Sequence, residues 1–368
     1  MPTAARSYGK INIGLVIGPA RPDGFHELRT VYHTIALHDT VRVDVRAGSG
    51  IELRSKDPRV PCDESNTCYR VAERVLKLFK KRARVGITIE KKLPVQGGLG
   101  AASSNAVATL LALERELKQP IAPDDRLRIA AEVGSDLPLF AIGGAVLGVG
   151  HGEEVFPLPE LPTFHCVVAT PPIAVSTPNA FASWDEQVAV APQAQESWRS
   201  QPEAAAGKLT QAQRFDRITL FSRSLHEWLG GYLSQSPNPG SLNGRKSAGR
   251  GGDGAGGPNT GVPCGKGKQQ DRGDRAEALL LDLVRAGIEN DFERVVFPEY
   301  PELREVKRAL QRSGARYASL SGSGSAVYGL FASAKQAEDC CAGLRADGTR
   351  AEVTRTIGRQ EYWETVLR

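Results

Sequence analysis

A glycine-rich segment between a predicted strand and an alanine-rich helix restricts the fold most. Residues Leu93–Asn105 read LPVQGGLGAASSN. Glycines let backbone N–H groups turn toward one point, and the start of the following helix adds unpaired N–H donors. Such a loop can bind a phosphate chain, and a plain glycine-rich turn is the alternative. The segment matches neither the Walker A pattern nor the Gly-x-Gly-x-x-Gly pattern of dinucleotide folds.

The surrounding patterns predict an α+β fold. In the first half, period-two alternation indicates strands at Val41–Val45 and Val85–Ile89. The spacing of apolar residues indicates helices at Asn66–Lys80, Ala106–Leu117 and Asp124–Val133, and Asp124 is the expected cap of the last one. In the last part we predict three strands, two within Tyr317–Phe331 and a final one at 351–356. We also predict four helices, at 215–233, 277–290, 302–313 and 335–344. Strands and helices do not alternate regularly, which argues against a doubly wound sheet.

Residues 236–275 differ in composition from the rest. They hold 12 of the chain's 39 glycines, no aromatic residue, seven basic residues and three acidic ones. Such a stretch cannot bury enough apolar surface to offset its ordering entropy, so we predict a disordered insertion. The net charge is 47 − 42 = +5, of which the insertion contributes 7 − 3 = +4. The other residues are therefore nearly neutral, and we expect no nucleic-acid-binding face on the folded part.

The sequence also bears on compartment. The longest nearly apolar stretch, Leu139–Gly150, is shorter than the ~20 residues of a membrane span, and the N-terminus lacks the apolar core of a signal peptide. The six cysteines show no Cys-x-x-Cys spacing, so we predict reduced thiols. We expect a cytoplasmic protein with no membrane partner, as a monomer or a homodimer.

Four segments together resemble, in order, the signature segments of the GHMP kinase superfamily: YGKINIGL at 8–15, RPDGFHEL at 21–28, the glycine-rich loop and LSGSGSA at 320–326. The resemblance implies two α/β domains, with the 236–275 insertion in the second. The first is ribosomal-protein-S5-like and binds the nucleotide (residues 1–165), and the second is ferredoxin-like (166–235 and 276–368). Within the superfamily, GSDLPLF at 134–140 and NDFE at 290–293 resemble the branch whose members phosphorylate a cytidine diphosphate derivative.

The resemblance implies a reaction and two catalytic residues. We expect ATP and Mg²⁺ to be used to phosphorylate the C2 hydroxyl of 4-diphosphocytidyl-2-C-methyl-D-erythritol, on a route to isoprenoids. Asp136 matches the family's base. Lys10 matches its lysine, and an ammonium beside that carboxylate would keep it ionised and orient it. An ordinary turn residue and a solvated surface lysine are the alternatives.

The resemblance also assigns ligand-binding residues. It implies that the triphosphate of ATP binds to the glycine-rich loop, which consists of Pro94, Val95, Gln96, Gly97, Gly98, Leu99, Gly100, Ala101, Ala102, Ser103 and Ser104. Asn66 and Lys91 are candidates near the nucleotide base, with a helix cap and a solvated strand end as alternatives. Ser103 and Ser104 could serve phosphate or Mg²⁺, but the metal ligands stay unassigned.

On the substrate side, Phe25 and Phe181 match rings that sandwich cytosine, and core packing is the alternative for either. His26 is expected to read the edge of the base. Asn12 is expected at the methylerythritol end and Thr177 at the diphosphate.

The chain departs from the family pattern at several points. Phe25 replaces a usual tyrosine, and Gln96 a small residue. Ala101 and Ala102 replace glycines, which would weaken ATP binding if the loop needed a positive φ there. Two other functions stay open: a kinase for mevalonate, homoserine or a sugar, and a non-catalytic nucleic-acid binder suggested by one Arg-Gly-Gly in the insertion.

Overall fold

A computed structural model describes residues 2–95, 97–189, 217–226, 228–229 and 266–367. For residues 188–189 and 266–275 it describes the backbone alone. Gln96 and the 236–265 part of the predicted insertion lie outside the described residues. Within the described ranges, no helix is both long and apolar enough to cross a membrane.

The first half of the chain forms a six-stranded sheet with four helices. Its strands are β1 Thr3–Ala20, β2 His26–Arg46, β3 Gly50–Ser55, β4 Arg84–Glu90, β5 Ala145–Val149 and β6 Glu154–Pro157. The order is β3-β4-β2-β5-β6, and β1 pairs antiparallel with β2. The helices are α1 Thr67–Leu78, α2 Ala101–Leu117, α3 Pro123–Val133 and α4 Leu137–Ile142.

Local chemistry explains where these helices begin. Asn66 caps α1 by accepting the backbone N–H of Cys68 at 2.8 Å. Helix α2 begins at Ala101, five residues before the predicted start at Ala106, and it is buried along most of its length. The cap of α3 is Ala122, not Asp124, because Pro123 takes the first helical position. Asp124 instead lies in the first turn, where its charge favours the helix dipole.

The second half forms a four-stranded antiparallel sheet in the order β10-β7-β9-β8. Its strands are β7 His165–Ala169, β8 Tyr317–Leu320, β9 Val327–Phe331 and β10 Ala351–Arg355. The helices are α5 Thr177–Ala189, α6 (residues 217–226 and 228–229), α7 Lys266–Arg285, α8 Glu293–Glu299, α9 Pro301–Arg312, α10 Ala334–Ala346 and α11 Arg359–Thr365. Helix α7 starts at Lys266, earlier than the predicted Glu277, so residues 266–275 of the predicted insertion are helical.

Helix α11 packs against the first sheet's core instead of the second. Tyr362 is buried there, with its ring centroid 5.5 Å from that of Tyr8, and its hydroxyl donates to the carbonyl of Phe140 at 2.6 Å. The backbone N–H of Arg6 donates to the carbonyl of Val366 at 2.7 Å. The C-terminal segment therefore completes the first core and supports α4, which follows Asp136.

Candidate active site

Lys10 and Asp136 come together from distant parts of the chain. Lys10 lies on β1 and is 3% exposed, and Asp136 immediately precedes α4. The ammonium Nζ of Lys10 lies 3.6 Å from Oδ2 of Asp136. The two residues that the sequence pairs as cation and base are thus neighbours, at a separation that allows the ammonium to stabilise the carboxylate.

The Lys10 ammonium is held from a second side. Its Nζ donates to Oδ1 of Asn12 at 2.6 Å, and Nδ2 of Asn12 donates to the hydroxyl of Thr30 at 2.9 Å. Burial lowers the pKa of Lys10, and the nearby carboxylate of Asp136 opposes that shift. Asn12 therefore orients the lysine, in addition to its predicted place beside the substrate.

Tyr32 contacts the same pair, and the sequence analysis did not find it. Its hydroxyl donates to Oδ1 of Asp136 at 3.2 Å, and Lys10 Nζ lies 5.4 Å from its ring centroid. Burial, with the charge of Asp136, raises the pKa of Tyr32, so the hydroxyl stays protonated and remains a donor. Tyr32 pairs with Asn12 across β1 and β2, a register that the sequence pattern does not give.

The glycine-rich loop is built as a cradle in front of α2. Gly98 and Gly100 have φ of +73° and +68°, a conformation that glycine adopts without strain. A Cβ on Gly98 would lie 2.0 Å from the carbonyl oxygen of Ser321. Gly100 is the N-cap of α2 and has no side chain to cap it, so among the described residues the first N–H groups of the helix are available to an anion.

The second glycine loop closes on the first. The hydroxyl of Ser321 donates to the carbonyl of Gly98 at 2.9 Å, and the N–H of Ala326 donates to that of Gly97 at 3.1 Å. A Cβ on Gly322 would lie 3.4 Å from Nζ of Lys10. Both loops therefore converge on the Lys10–Asp136 pair.

Ala101 and Ala102 do not disturb the cradle. Both lie in the first turn of α2, and the positive φ values fall on glycines instead. The concern that alanine here forces a strained backbone is thus removed. Ser103 is partly exposed in the same turn, while Ser104 is buried and its hydroxyl accepts that of Ser7 at 2.8 Å.

The two side chains predicted near the nucleotide base are engaged within the protein. Asn66 caps α1, and its Nδ2 donates to the carbonyl of Pro61 at 2.7 Å. Lys91 forms a buried ion pair with Asp39, whose other oxygen accepts the N–H groups of residues 92 and 93. For Asn66 the geometry matches the cap alternative, and Lys91 lies in a buried pair instead of being solvated.

The predicted cytosine site has a different arrangement of rings. Phe25 is 55% exposed, and its ring centroid lies 4.9 Å from that of His151. Phe181 stacks on His26 instead, with centroids 5.1 Å apart and planes 10° apart. Thr177 reaches the second glycine loop, where its hydroxyl lies 2.6 Å from that of Ser323. His151 is a second aromatic group that the sequence analysis missed.

The described part of the chain offers no metal site built from protein ligands alone. Among the described residues, no group of three His, Cys, Asp or Glu side chains is placed to hold a metal ion. Mg²⁺ in kinases is commonly held by substrate phosphates and one or two protein oxygens. The uncapped start of α2, with the hydroxyl of Ser103 beside it, fits that mode of binding.

Fold and site together define a small-molecule kinase of the GHMP type. The model of the GHMP kinases N terminal domain matches residues 66–144, and that of the GHMP kinases C terminal domain matches residues 275–349. The predicted two-domain GHMP kinase fold is thereby confirmed.

Curated relatives narrow the family. The 4-diphosphocytidyl-2-C-methyl-D-erythritol kinase of Solibacter usitatus is 33% identical over 89% of this chain and 80% of its own length. The enzyme of the same name from Acaryochloris marina is 30% identical over 90% and 88%. The chain belongs to the family of 4-diphosphocytidyl-2-C-methyl-D-erythritol kinases.

Solved structures agree with the fold. A crystal structure of 4-(cytidine 5'-diphospho)-2C-methyl-D-erythritol kinase superposes with a TM-score of 0.64 at 24% identity, covering 96% of this chain and 99% of that one. Homoserine kinase from Cytophaga hutchinsonii superposes with a TM-score of 0.58 at 17% identity, covering 97% and 96%.

Proposed function

We propose that this protein transfers the γ-phosphoryl group of ATP to the C2 hydroxyl of 4-diphosphocytidyl-2-C-methyl-D-erythritol, giving the 2-phosphate and ADP. The observation that carries the proposal is the Lys10–Asp136 pair, 3.6 Å apart, at the convergence of two glycine loops. Phosphoryl transfer to an alcohol needs a base at the hydroxyl and donors around the phosphates, and this arrangement supplies both.

Asp136 is the proposed base. It accepts the proton of the C2 hydroxyl while that oxygen bonds to the γ-phosphorus and the bond to the ADP oxygen breaks. Lys10 and Tyr32 hold the two carboxylate oxygens from different sides, which fixes the direction from which Asp136 approaches the hydroxyl. The transfer is direct, with no covalent intermediate on the protein.

The cradle is the proposed triphosphate site. The uncapped N–H groups at the start of α2 and the loop backbone at Gly97–Gly100 face the phosphates, and the positive end of the helix dipole favours their charge. Mg²⁺, when bound with ATP, would neutralise phosphate charge, and the hydroxyl of Ser103 is the proposed protein ligand. Lys10 supplies a further positive charge beside the loops.

The substrate end lies between β1, β2 and α5. His26, Phe25 and Phe181 are the proposed cytidine residues, Thr177 the diphosphate residue and Asn12 the methylerythritol residue. Because Phe25 contacts His151 and Phe181 contacts His26, a cytosine between Phe25 and Phe181 must displace or join these contacts.

Purified full-length protein tests the proposal. With ATP, Mg²⁺ and the cytidine substrate we expect ADP release in a coupled assay and one new phosphomonoester signal in the ³¹P spectrum. Free 2-C-methyl-D-erythritol, mevalonate and homoserine should give no turnover. Absence of ADP release with the cytidine substrate, or equal rates with free methylerythritol, would contradict the proposed substrate.

A further inference from the structure

Helix α5 presents two side chains to one imidazole. The ring of Phe181 lies parallel to that of His26, and four residues later Asp185 places Oδ1 2.8 Å from Nε2 of His26. Residues four apart share a helix face. Phe181 is itself held by an edge contact with Phe292, at a centroid distance of 4.9 Å. Helix α5 therefore fixes both the plane and one edge of His26.

The carboxylate determines where the imidazole carries its proton. An ionised carboxylate only accepts hydrogen bonds, so Nε2 of His26 must be the donor to Asp185. A neutral imidazole has one N–H, and Nδ1 is then left with a lone pair. With the imidazole neutral, Asp185 thus makes Nδ1 of His26 a hydrogen-bond acceptor.

That acceptor is open to a ligand. Nδ1 of His26 makes no hydrogen bond to the described residues, and it is not buried away from solvent. The two ring nitrogens point in nearly opposite directions, so Nδ1 points away from Asp185. The side chain as a whole is 7% exposed, which leaves a narrow, oriented contact.

We propose that Asp185 is a positioning residue that makes His26 select a 4-aminopyrimidine base over a 4-oxopyrimidine base. The inference rests on the proposed function for the presence of a pyrimidine substrate. The 4-amino group of cytosine donates to Nδ1, whereas O4 of uracil would bring a second acceptor to the same place. Two facing acceptors leave one polar group without a partner, which is costly at a buried contact.

Imidazole tautomers give a test without substrate. We would label the histidines of the full-length chain with ¹⁵N, assign His26 with His26→Gln, and record long-range ¹H–¹⁵N spectra at about pH 8, where an ordinary imidazole is neutral. The wild type should show the Nε2–H form, and Asp185→Ala should raise the Nδ1–H fraction. An Nδ1–H form in the wild type, or equal fractions in both proteins, would overturn the inference.

Nucleotide binding gives the second test. By calorimetry with CDP and UDP, the wild type should prefer CDP at least about tenfold, and Asp185→Ala should reduce that ratio by about tenfold. Asp185→Asn, which keeps the shape, should move the ratio in the same direction. Glu186→Gln removes an exposed carboxylate from the same helix and should leave the ratio unchanged. An unchanged ratio in both Asp185 variants would overturn the inference.

The two proposals fail separately. Lack of turnover with the cytidine substrate, alongside an intact CDP preference and tautomer shift, would remove the proposed reaction and leave the role of Asp185. Normal turnover with a CDP to UDP ratio that is indifferent to Asp185 would do the reverse.

Discussion

Replacing Asp136 by asparagine tests the base and its electrostatic partner together. Asparagine keeps the shape but removes the negative charge 3.6 Å from Nζ of Lys10. At an effective dielectric constant of ~20, two unit charges at that distance attract by roughly 5 kcal/mol. Because Asp136 is 34% exposed, water screens the attraction, and we expect the variant to lose about 1–2 kcal/mol of unfolding free energy.

The pH dependence of that loss has a defined sign. Burial lowers the pKa of Lys10 below its ordinary 10.5, and Asp136 opposes the shift, so the variant's lysine pKa falls further. The unfolded chain then binds more protons than the folded one over a wider range, and the variant gains stability as pH rises. The deficit relative to wild type should therefore be larger near about pH 7 than near about pH 10, where Lys10 is losing its charge in both proteins.

Measurements of turnover, ATP affinity and unfolding free energy check the reasoning. Turnover of Asp136→Asn should fall by about 10²–10⁴. ATP affinity should change less than about threefold, because the cradle is built from loop backbone and an uncapped helix start. Asp339→Asn breaks the exposed ion pair with Lys335 and should leave the unfolding free energy and the activity nearly unchanged. If Asp136→Asn keeps more than about a tenth of wild-type turnover, Asp136 is not the base. If its loss of unfolding free energy is independent of pH, the electrostatic account of the Lys10–Asp136 pair is wrong.

Three further predictions follow from the same structure. Tyr32→Phe should lower kcat about tenfold with little change in KM, because it removes the donor to Asp136 and leaves the ring; a pure KM effect would contradict this. Gly98→Ala should weaken ATP binding and lower the melting temperature. Ala101→Gly should leave ATP affinity no higher and should lower the unfolding free energy by about 0.5–1 kcal/mol. Burial lowers the pKa of His33 to about 4 from 6.5, so stability should fall by up to about 3 kcal/mol as pH drops from 6.5 to 4; a drop of the same size in His33→Gln would exclude this source.

Much of the fold was predictable because local patterns carry it. The alternation at 85–89 lies within β4, and the Asn66 cap and apolar face at 66–80 correspond to α1. Helix boundaries were less accurate: α2 begins at Ala101 because the glycine that precedes it already takes a positive φ. The placement of α11 against the first core was not predictable, since Tyr362 packs among buried side chains that come from distant strands and helices.

The sequence by itself determined the glycine-rich loop and the family motifs. It also supplied two hypotheses, that the loop binds phosphate and that Lys10 pairs with Asp136. These features depend on residue type and on short-range spacing, which the chain carries directly. Only the tertiary structure decided which neighbours complete the site. Tyr32 meets Asp136 across 104 residues and Asp185 meets His26 across 159, and these contacts arise from strand register and helix packing. The same packing occupies Asn66 and Lys91 within the protein, because a buried polar group needs a partner wherever the fold places it.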